Sequence, residues 1–263
     1  MIENNDNNAV IYFDKAHKIR GSKSVDHYHD CLEVYYMKDG ACNYFIDDKS
    51  HRVEPGDVVF IPQGVIHKTN YESEYHARWL LNCSYSYLPN SVLPYINKIP
   101  HLFKRSKLTE ECERVMLKIG EEYSQKDSFS NDAIQGLIYE LIFLLVRNSS
   151  SQSPSYSGNV IVEQAVKYIQ DNYPNQISLS ETALNLSVSP EHLSRAFKKE
   201  TGFGFSEYLT LLRLQKAEYI LKNEPGKSVN EVAFACGFND SNYFSYKFKK
   251  QYGVSPSGVK KFK

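Results

Sequence analysis

Ser194-Arg195-Ala196-Phe197-Lys198-Lys199-Glu200-Thr201-Gly202 returns 51 positions later as Ser245-Tyr246-Lys247-Phe248-Lys249-Lys250-Gln251-Tyr252-Gly253. A repeat of this kind marks one supersecondary unit built twice. Each copy reads as a short helix, a tight turn and a second helix. In the first, Ser178-Leu179-Ser180-Glu181 opens a helix with Leu179, Ala183 and Leu186 inward. Ser187-Val188-Ser189-Pro190 then turns the chain, with Ser189 as N-cap and Pro190 at the first helical position. Leu193 and Phe197, four apart, face a core, and Gly202 closes the helix. Glu191, Ser194, Arg195 and Lys198 share the opposite face, where they are free to reach base edges in a major groove.

The second copy has one added residue in its turn. Val229, Val232 and Ala233 point inward, Cys236-Gly237-Phe238 turns the chain, and Asp240 or Asn239 caps the next helix. Phe244 and Phe248 take the places of Leu193 and Phe197, so Asn242, Ser245, Tyr246 and Lys249 face out. Between the copies, Ser206 to Lys222 reads as one helix, a strut whose Tyr208, Leu209, Leu212 and Leu221 pack on both. Heads held about 34 Å apart reach successive major grooves on one face of a duplex. Net charge is zero overall, yet from Val160 to Lys263 there are 14 Lys and Arg against 10 Asp and Glu. That basic excess lies largely beside the repeated helices and suits a nucleic-acid partner.

Leu193-Ser194-Arg195-Ala196-Phe197-Lys198-Lys199, Phe205-Ser206-Glu207-Tyr208-Leu209 and Val232-Ala233-Phe234-Ala235-Cys236-Gly237-Phe238 resemble the AraC/XylS family of bacterial transcription regulators. Gly253-Val254-Ser255-Pro256 adds to the likeness, which spans about residues 160 to 260. The resemblance implies a two-headed DNA-binding domain with base contacts at Glu191, Ser194 and Arg195, then at Ser241, Asn242, Ser245 and Tyr246. Tyr246 stands where the family usually has Arg. Lys198, Lys199, Lys249 and Lys250 are the expected phosphate contacts, positioning the protein without specifying sequence.

Residues 10 to 90 are rich in Tyr, Val, Ile and Phe and broken by turn signals such as Lys38-Asp39-Gly40 and Pro55-Gly56-Asp57. Many short strands, hence a sandwich or small barrel, follow. Gly21, His27, His29, Glu33 and Gly40, then Gly56, Pro62, Gly64 and His67, resemble the two halves of the cupin motif. The fold class expected is therefore two-domain α+β: a cupin-like barrel with dimerisation helices, then an all-α domain with two helix-turn-helix units. His27, His29 and Glu33 share parity with Tyr35 and Met37, so one strand projects them to one face. If that face is the barrel interior, His67 completes a set of three histidines and one carboxylate.

Two readings of that set compete. It is a ligand set for a divalent transition metal (Mn, Fe, Ni or Zn), as in metal-dependent cupin enzymes or a metal sensor. Or His27, His29, Glu33, Tyr35 and His67 hydrogen-bond a small-molecule effector, with no cofactor and no catalysis. The separate DNA-binding domain favours the second. Tyr28, Tyr35, Tyr44, Phe45, Tyr71, Tyr75 and Trp79 supply aromatic faces for a sugar-like effector, or simply a core.

Residues 108 to 125 and 131 to 147 switch to helical spacing. The second helix carries a wide apolar face, from which Leu137, Ile138, Leu141 and Leu145 are expected to form a dimer seam, the alternative being packing within one chain. Asn148 to Asn159 is Ser-rich and reads as a linker between an effector and dimerisation domain (1–147) and a DNA-binding domain (160–263). Five scattered cysteines without a CxxC pair argue for reduced thiols in the cytoplasm. No run of 18 apolar residues exists, so a membrane is not an expected partner. The expected partners are double-stranded DNA, the effector, RNA polymerase and a second copy of the chain.

Overall fold

The structure, a computed structural model, describes residues 11–20, 31–149, 158–224 and 226–259. The chain divides into two compact units, Met1–Ser157 and Gly158–Lys263.

The first unit holds eight strands among the described residues: β1 (Ile11–Arg20), β2 (Leu32–Asp39), β3 (Cys42–Ile46), β4 (Lys49–Val53), β5 (Val58–Ile61), β6 (His67–Tyr71), β7 (Tyr75–Cys83) and β8 (Leu102–Phe103). They form an antiparallel five-stranded sheet in the order β1-β7-β2-β5-β8 and a three-stranded sheet in the order β4-β3-β6. The period of two in β2 sorts its side chains cleanly. Glu33 is buried, and Tyr35 and Met37 join Tyr44, Ile46, Val53, Val59 and Ile61 in a core between the sheets. Leu32, Val34 and Tyr36 face the other way, into a core shared with two helices.

Those helices are α1 (Lys107–Gln125) and α2 (Ser130–Arg147). At the start of α1 the Ser106 N–H donates to Thr109 Oγ1 at 2.9 Å, and the helix ends at Lys126 in the left-handed region (φ 54°). Gly120 lets α1 pass close over β1: a Cβ there would lie 2.6 Å from Phe13 Cε1. Cys112, Val115, Met116 and Ile119 of α1 and Ile134, Ile138, Leu141, Ile142 and Leu145 of α2 are buried with Val34, Phe60 and Leu81 of the sheet.

This packing corrects the expectation of a seam through Ile138, Leu141 and Leu145. All three are fully covered by their own chain, so they have no surface for a second copy. A sheet face as apolar as Leu32-Val34-Tyr36 needs a cover, and α2 supplies it at roughly 2 kcal/mol per buried Leu or Ile. Leu137 stays half-buried at the rim.

The second unit is helical: α3 (Val160–Asn172), α4 (Leu179–Asn185), α5 (Pro190–Thr201), α6 (Phe205–Asn223), α7 (Val229–Ala235), α8 (Ser241–Tyr252) and α9 (Pro256–Val259). Phe197 packs against Phe205 and Tyr208 with ring centroids 5.8 Å apart in each pair, tying α5 to the start of α6. Leu214, Ala217 and Leu221, from the far end of α6, share a core with Val232, Ala233, Phe238, Phe244 and Phe248. One helix thus enters both cores.

Candidate nucleic-acid interface and effector barrel

Local chemistry fixes α5. Ser189 Oγ accepts from the His192 N–H at 3.1 Å, Pro190 occupies the first turn, and Gly202 closes the helix at φ 75°. Leu193 and Phe197 are fully buried, which sets the rotation of the helix about its axis. Glu191, Ser194, Arg195, Lys198 and Lys199 are consequently exposed. Arg195 Nε donates to the Glu191 carbonyl at 3.4 Å, and Lys198 Nζ lies 3.5 Å from Glu207 Oε2. Exposed ion pairs of that kind contribute about 0–1 kcal/mol, so Lys198 exchanges partners readily.

The second helix of the repeat, α8, follows the same design. Asp240 Oδ1 caps α8 by accepting from Asn242 N at 2.7 Å and Tyr243 N at 3.3 Å, and Gly253 closes it at φ 73°. Phe244 and Phe248 are fully buried. Asn242, Tyr246, Lys249 and Lys250 are exposed, and Ser241 and Ser245 are half-buried. The caps Ser189 and Asp240 are 51 positions apart, whereas the preceding helices align at 50, through Ser178 with Ser228 and Ala183 with Ala233. The extra residue lies in the second turn. At the equivalent bend the first unit puts Ser187 at φ 56° and the second puts Gly237 at φ 85°.

Two long-range contacts escape sequence reading. Arg213 of α6 donates from Nε to the Tyr173 carbonyl at 2.8 Å and from Nη2 to the Asn175 carbonyl at 2.7 Å. Gln176 Nε2 donates to the Gly237 carbonyl at 3.2 Å and to Asn239 Oδ1 at 2.9 Å. The loop after α3 is therefore bonded to the strut and to the turn of the second unit.

In the first unit of the chain, Glu33 and His67 meet inside the barrel, His67 Nε2 lying 3.8 Å from Glu33 Oε2. His67 Nδ1 sits 2.7 Å from the Val65 carbonyl, which only accepts, so that nitrogen carries the proton. Tyr44 donates its hydroxyl to Glu33 Oε1, and burial followed by that carboxylate pushes the phenol pKa well up. Asn82, with its amide nitrogen turned inward, donates to Glu33 Oε2 at 3.2 Å. Tyr35 lies edge-on to Tyr44 with centroids 5.4 Å apart.

Farther along the same interior, Tyr71 and His76 stack at 3.5 Å, and Arg78 Nη1 lies 3.0 Å from Asp14 Oδ2. Burial, then Arg78, depresses the His76 pKa to about 4, so its imidazole is neutral. Burial opposes charge on Arg78 as well, but Tyr71 and Asp14 outweigh it and raise the pKa, keeping the guanidinium a cation. Arg78, His76 and Asn82 are interior residues that the sequence did not single out, whereas Tyr71 was among the aromatics expected there. The signal for Arg78 and Asn82 was alternation in β7, where they flank Leu80 two positions away on each side.

Of the expected effector and metal residues, Glu33, Tyr35 and His67 converge on the interior. His27 and His29 lie outside the described residues. Among the described residues no group of three His, Cys, Asp or Glu side chains is placed to hold a metal ion. Trp79 is on the opposite face of β7, buried toward α1 and stacked on Tyr36 at 5.1 Å, so it does not line the interior. Among the described residues no helix is long and apolar enough to cross a membrane.

Comparison with known proteins matches both units. A family model for the AraC-like ligand binding domain covers residues 16–84, and a model for the helix-turn-helix domain covers residues 182–261. The chain is similar to the HTH-type transcriptional activator RhaS of Klebsiella pneumoniae (strain 342), 24% identical over 89% of this chain and 87% of that protein. It is similar to the HTH-type transcriptional activator RhaR of Escherichia coli O9:H4 (strain HS) at 24% identity, over 89% of this chain and 86% of that one. Among solved structures it resembles the C-terminal domain of AraT, a response regulator from Geobacillus stearothermophilus. That match is 35% identical and covers 41% of this chain and 88% of the other, with a TM-score of 0.39. With a ligand-binding model ahead of a helix-turn-helix model, together over more than half its length, the chain belongs to the AraC family of effector-controlled, DNA-binding transcription regulators.

Proposed function

We propose that α5 and α8 are the reading helices, entering successive major grooves on one face of the operator. The observation that carries this is the matched pair of outward faces, Glu191, Ser194, Arg195 and Lys198 on α5 and Asn242, Ser245, Tyr246 and Lys249 on α8, each set by buried residues in the same register. Ser241 joins the second set at the helix start. Lys198, Lys199, Lys249 and Lys250 take phosphates. Residues 160–263 form the DNA-binding domain, 148–159 the linker and 1–147 the effector domain.

The effector in this reading is a small polyhydroxylated molecule of sugar type, held inside the barrel. Glu33 offers a carboxylate, Arg78 a cation, and Tyr35 and Tyr44 ring faces, the mixture that recognises hydroxyl-rich ligands. Barrel chemistry is binding and not catalysis. The protein works in the cytoplasm, and the relatives' description as activators supports RNA polymerase as a partner. A homodimer through α2 uses Leu137, Phe143 and Leu144, which the packing leaves half-buried.

The test is a gel-shift titration of the full chain on its operator against a panel of sugars. An active sugar changes operator affinity, because an effector shifts an equilibrium only through its differential affinity for two states. Arg78→Ala removes that response and leaves basal DNA binding intact. Failure of every panel member, or an undiminished response in Arg78→Ala, rejects the effector assignment.

A further inference from the structure

We propose that the two heads read different base classes: α5 a half-site of G·C character, α8 a half-site of A·T character. The proposal rests on the DNA-reading role given above and names its specificity.

The offset of 51 pairs Glu191 with Asn242, Ser194 with Ser245, Arg195 with Tyr246 and Lys198 with Lys249. Because Leu193 and Phe197 are buried in one helix as Phe244 and Phe248 are in the other, these pairs hold equivalent places on the two outward faces. Ser and Lys are unchanged between the heads, so they add no contrast. The contrast lies in the other two pairs. A guanidinium forks onto O6 and N7 of guanine, and a carboxylate accepts from N4 of cytosine. Arg195 and Glu191, one turn apart on α5, therefore select adjacent G·C pairs.

Neither group exists on α8, whose sequence contains no Arg, Asp or Glu. Asn242 presents an amide, which pairs bidentately with N6 and N7 of adenine. Tyr246 has a single hydroxyl and cannot form the guanine fork. It is 63% exposed, and its ring gives an apolar surface that suits the thymine 5-methyl. Tyr243 does not share this role: its ring centroid lies 6.4 Å from that of Phe238, and Lys247 Nζ sits over it at 5.4 Å. Tyr246 is thus the specificity-determining aromatic of the second head.

The experiment selects binding sites for the full chain from a random duplex library, then replaces thymines by deoxyuridine, which removes only the 5-methyl. The selected site is expected to have one G·C half, relaxed by Arg195→Ala, and one A·T half, relaxed by Tyr246→Ala. Deoxyuridine in the A·T half weakens binding about fourfold per contacted base, the worth of one buried methyl, and has no effect in the G·C half. Tyr246→Arg, an exposed change that leaves the core intact, abolishes that penalty and moves the selected base to guanine. A second half dominated by G·C, or one indifferent to deoxyuridine, overturns the proposal while leaving DNA reading in place. Absence of any sequence preference rejects the parent reading, and this one with it.

Discussion

Arg213 donates from Nε to the backbone carbonyl of Tyr173 at 2.8 Å, a bond between the strut helix and the end of α3, 40 residues earlier. The same guanidinium reaches Asn175 at 2.7 Å and lies 6.0 Å from the ring of Phe238, in the turn of the second head. Burial lowers its pKa from the usual arginine value, yet the group stays a cation. Gln176 closes the arrangement by bonding Gly237 and Asn239. Carbonyls at a helix end need donors, and here the donor comes from the element that spans both heads. The heads are therefore braced together as well as joined by α6.

Removing the brace should uncouple the heads. Arg213→Ala leaves two carbonyls without their donor and is expected to lower stability by about 1–3 kcal/mol in urea unfolding. Affinity for a duplex with both half-sites should fall on the order of tenfold, while affinity for a single half-site stays constant. Equal losses on both duplexes would mean that Arg213 matters to folding alone.

The two turns predict changes of opposite sign. Ser187 holds φ 56°, which costs an L-residue roughly 1–2 kcal/mol, so Ser187→Gly should stabilise by up to about 1 kcal/mol after the entropy of glycine is offset. Gly237→Ala should destabilise by about 2 kcal/mol or more, since a Cβ there falls 2.7 Å from the Tyr173 carbonyl oxygen and 2.8 Å from that of Pro174. Denaturant midpoints of the two variants, measured side by side, check both signs.

Acid should weaken the barrel through two buried histidines. Burial lowers the pKa of both His51 and His76 to about 4, with His101 and Arg78 adding repulsion respectively. Unfolded histidine titrates near 6.5, so between about pH 6.5 and pH 4 the unfolded chain binds protons that the native state refuses. Stability is expected to fall as pH drops through that window, by up to about 3 kcal/mol for each group, and to be independent of both above it. His76→Phe, chosen to keep a ring against Tyr71, should flatten the profile.

Leu141 and Leu137 should behave differently. Leu141→Ala opens a cavity beneath the sheet and is expected to cost about 2–5 kcal/mol without altering native mass. Leu137→Glu, at the half-buried rim, should preserve folding and turn a dimer into a monomer by light scattering if α2 is the pairing face.

Local signals made much of this legible. The caps at Ser189, Asp240 and Gly202, the added residue before α8 and the alternation in β2 each depend on a few neighbouring residues. What covers an apolar face does not: the spacing of Ile138, Leu141 and Leu145 fits a dimer seam as well as a roof over the sheet, and only the fold decides. Arg213 with Tyr173 and Asn175, Gln176 with Gly237, and Asn82 with Glu33 are long-range pairs with no local pattern to betray them. Trp79 was ambiguous because each face of β7 packs a leucine against a core, Leu81 on one side and Leu80 on the other, so either could have been its side.

The central claim is that one chain reads two neighbouring grooves with α5 and α8. Hydroxyl-radical footprinting of the full chain on its operator tests it most directly. The account predicts two protected stretches per chain on one face of the duplex, about 10 base pairs apart, with Arg195→Ala fading one and Tyr246→Ala the other. A single protected stretch per chain, or two on opposite faces, would contradict it.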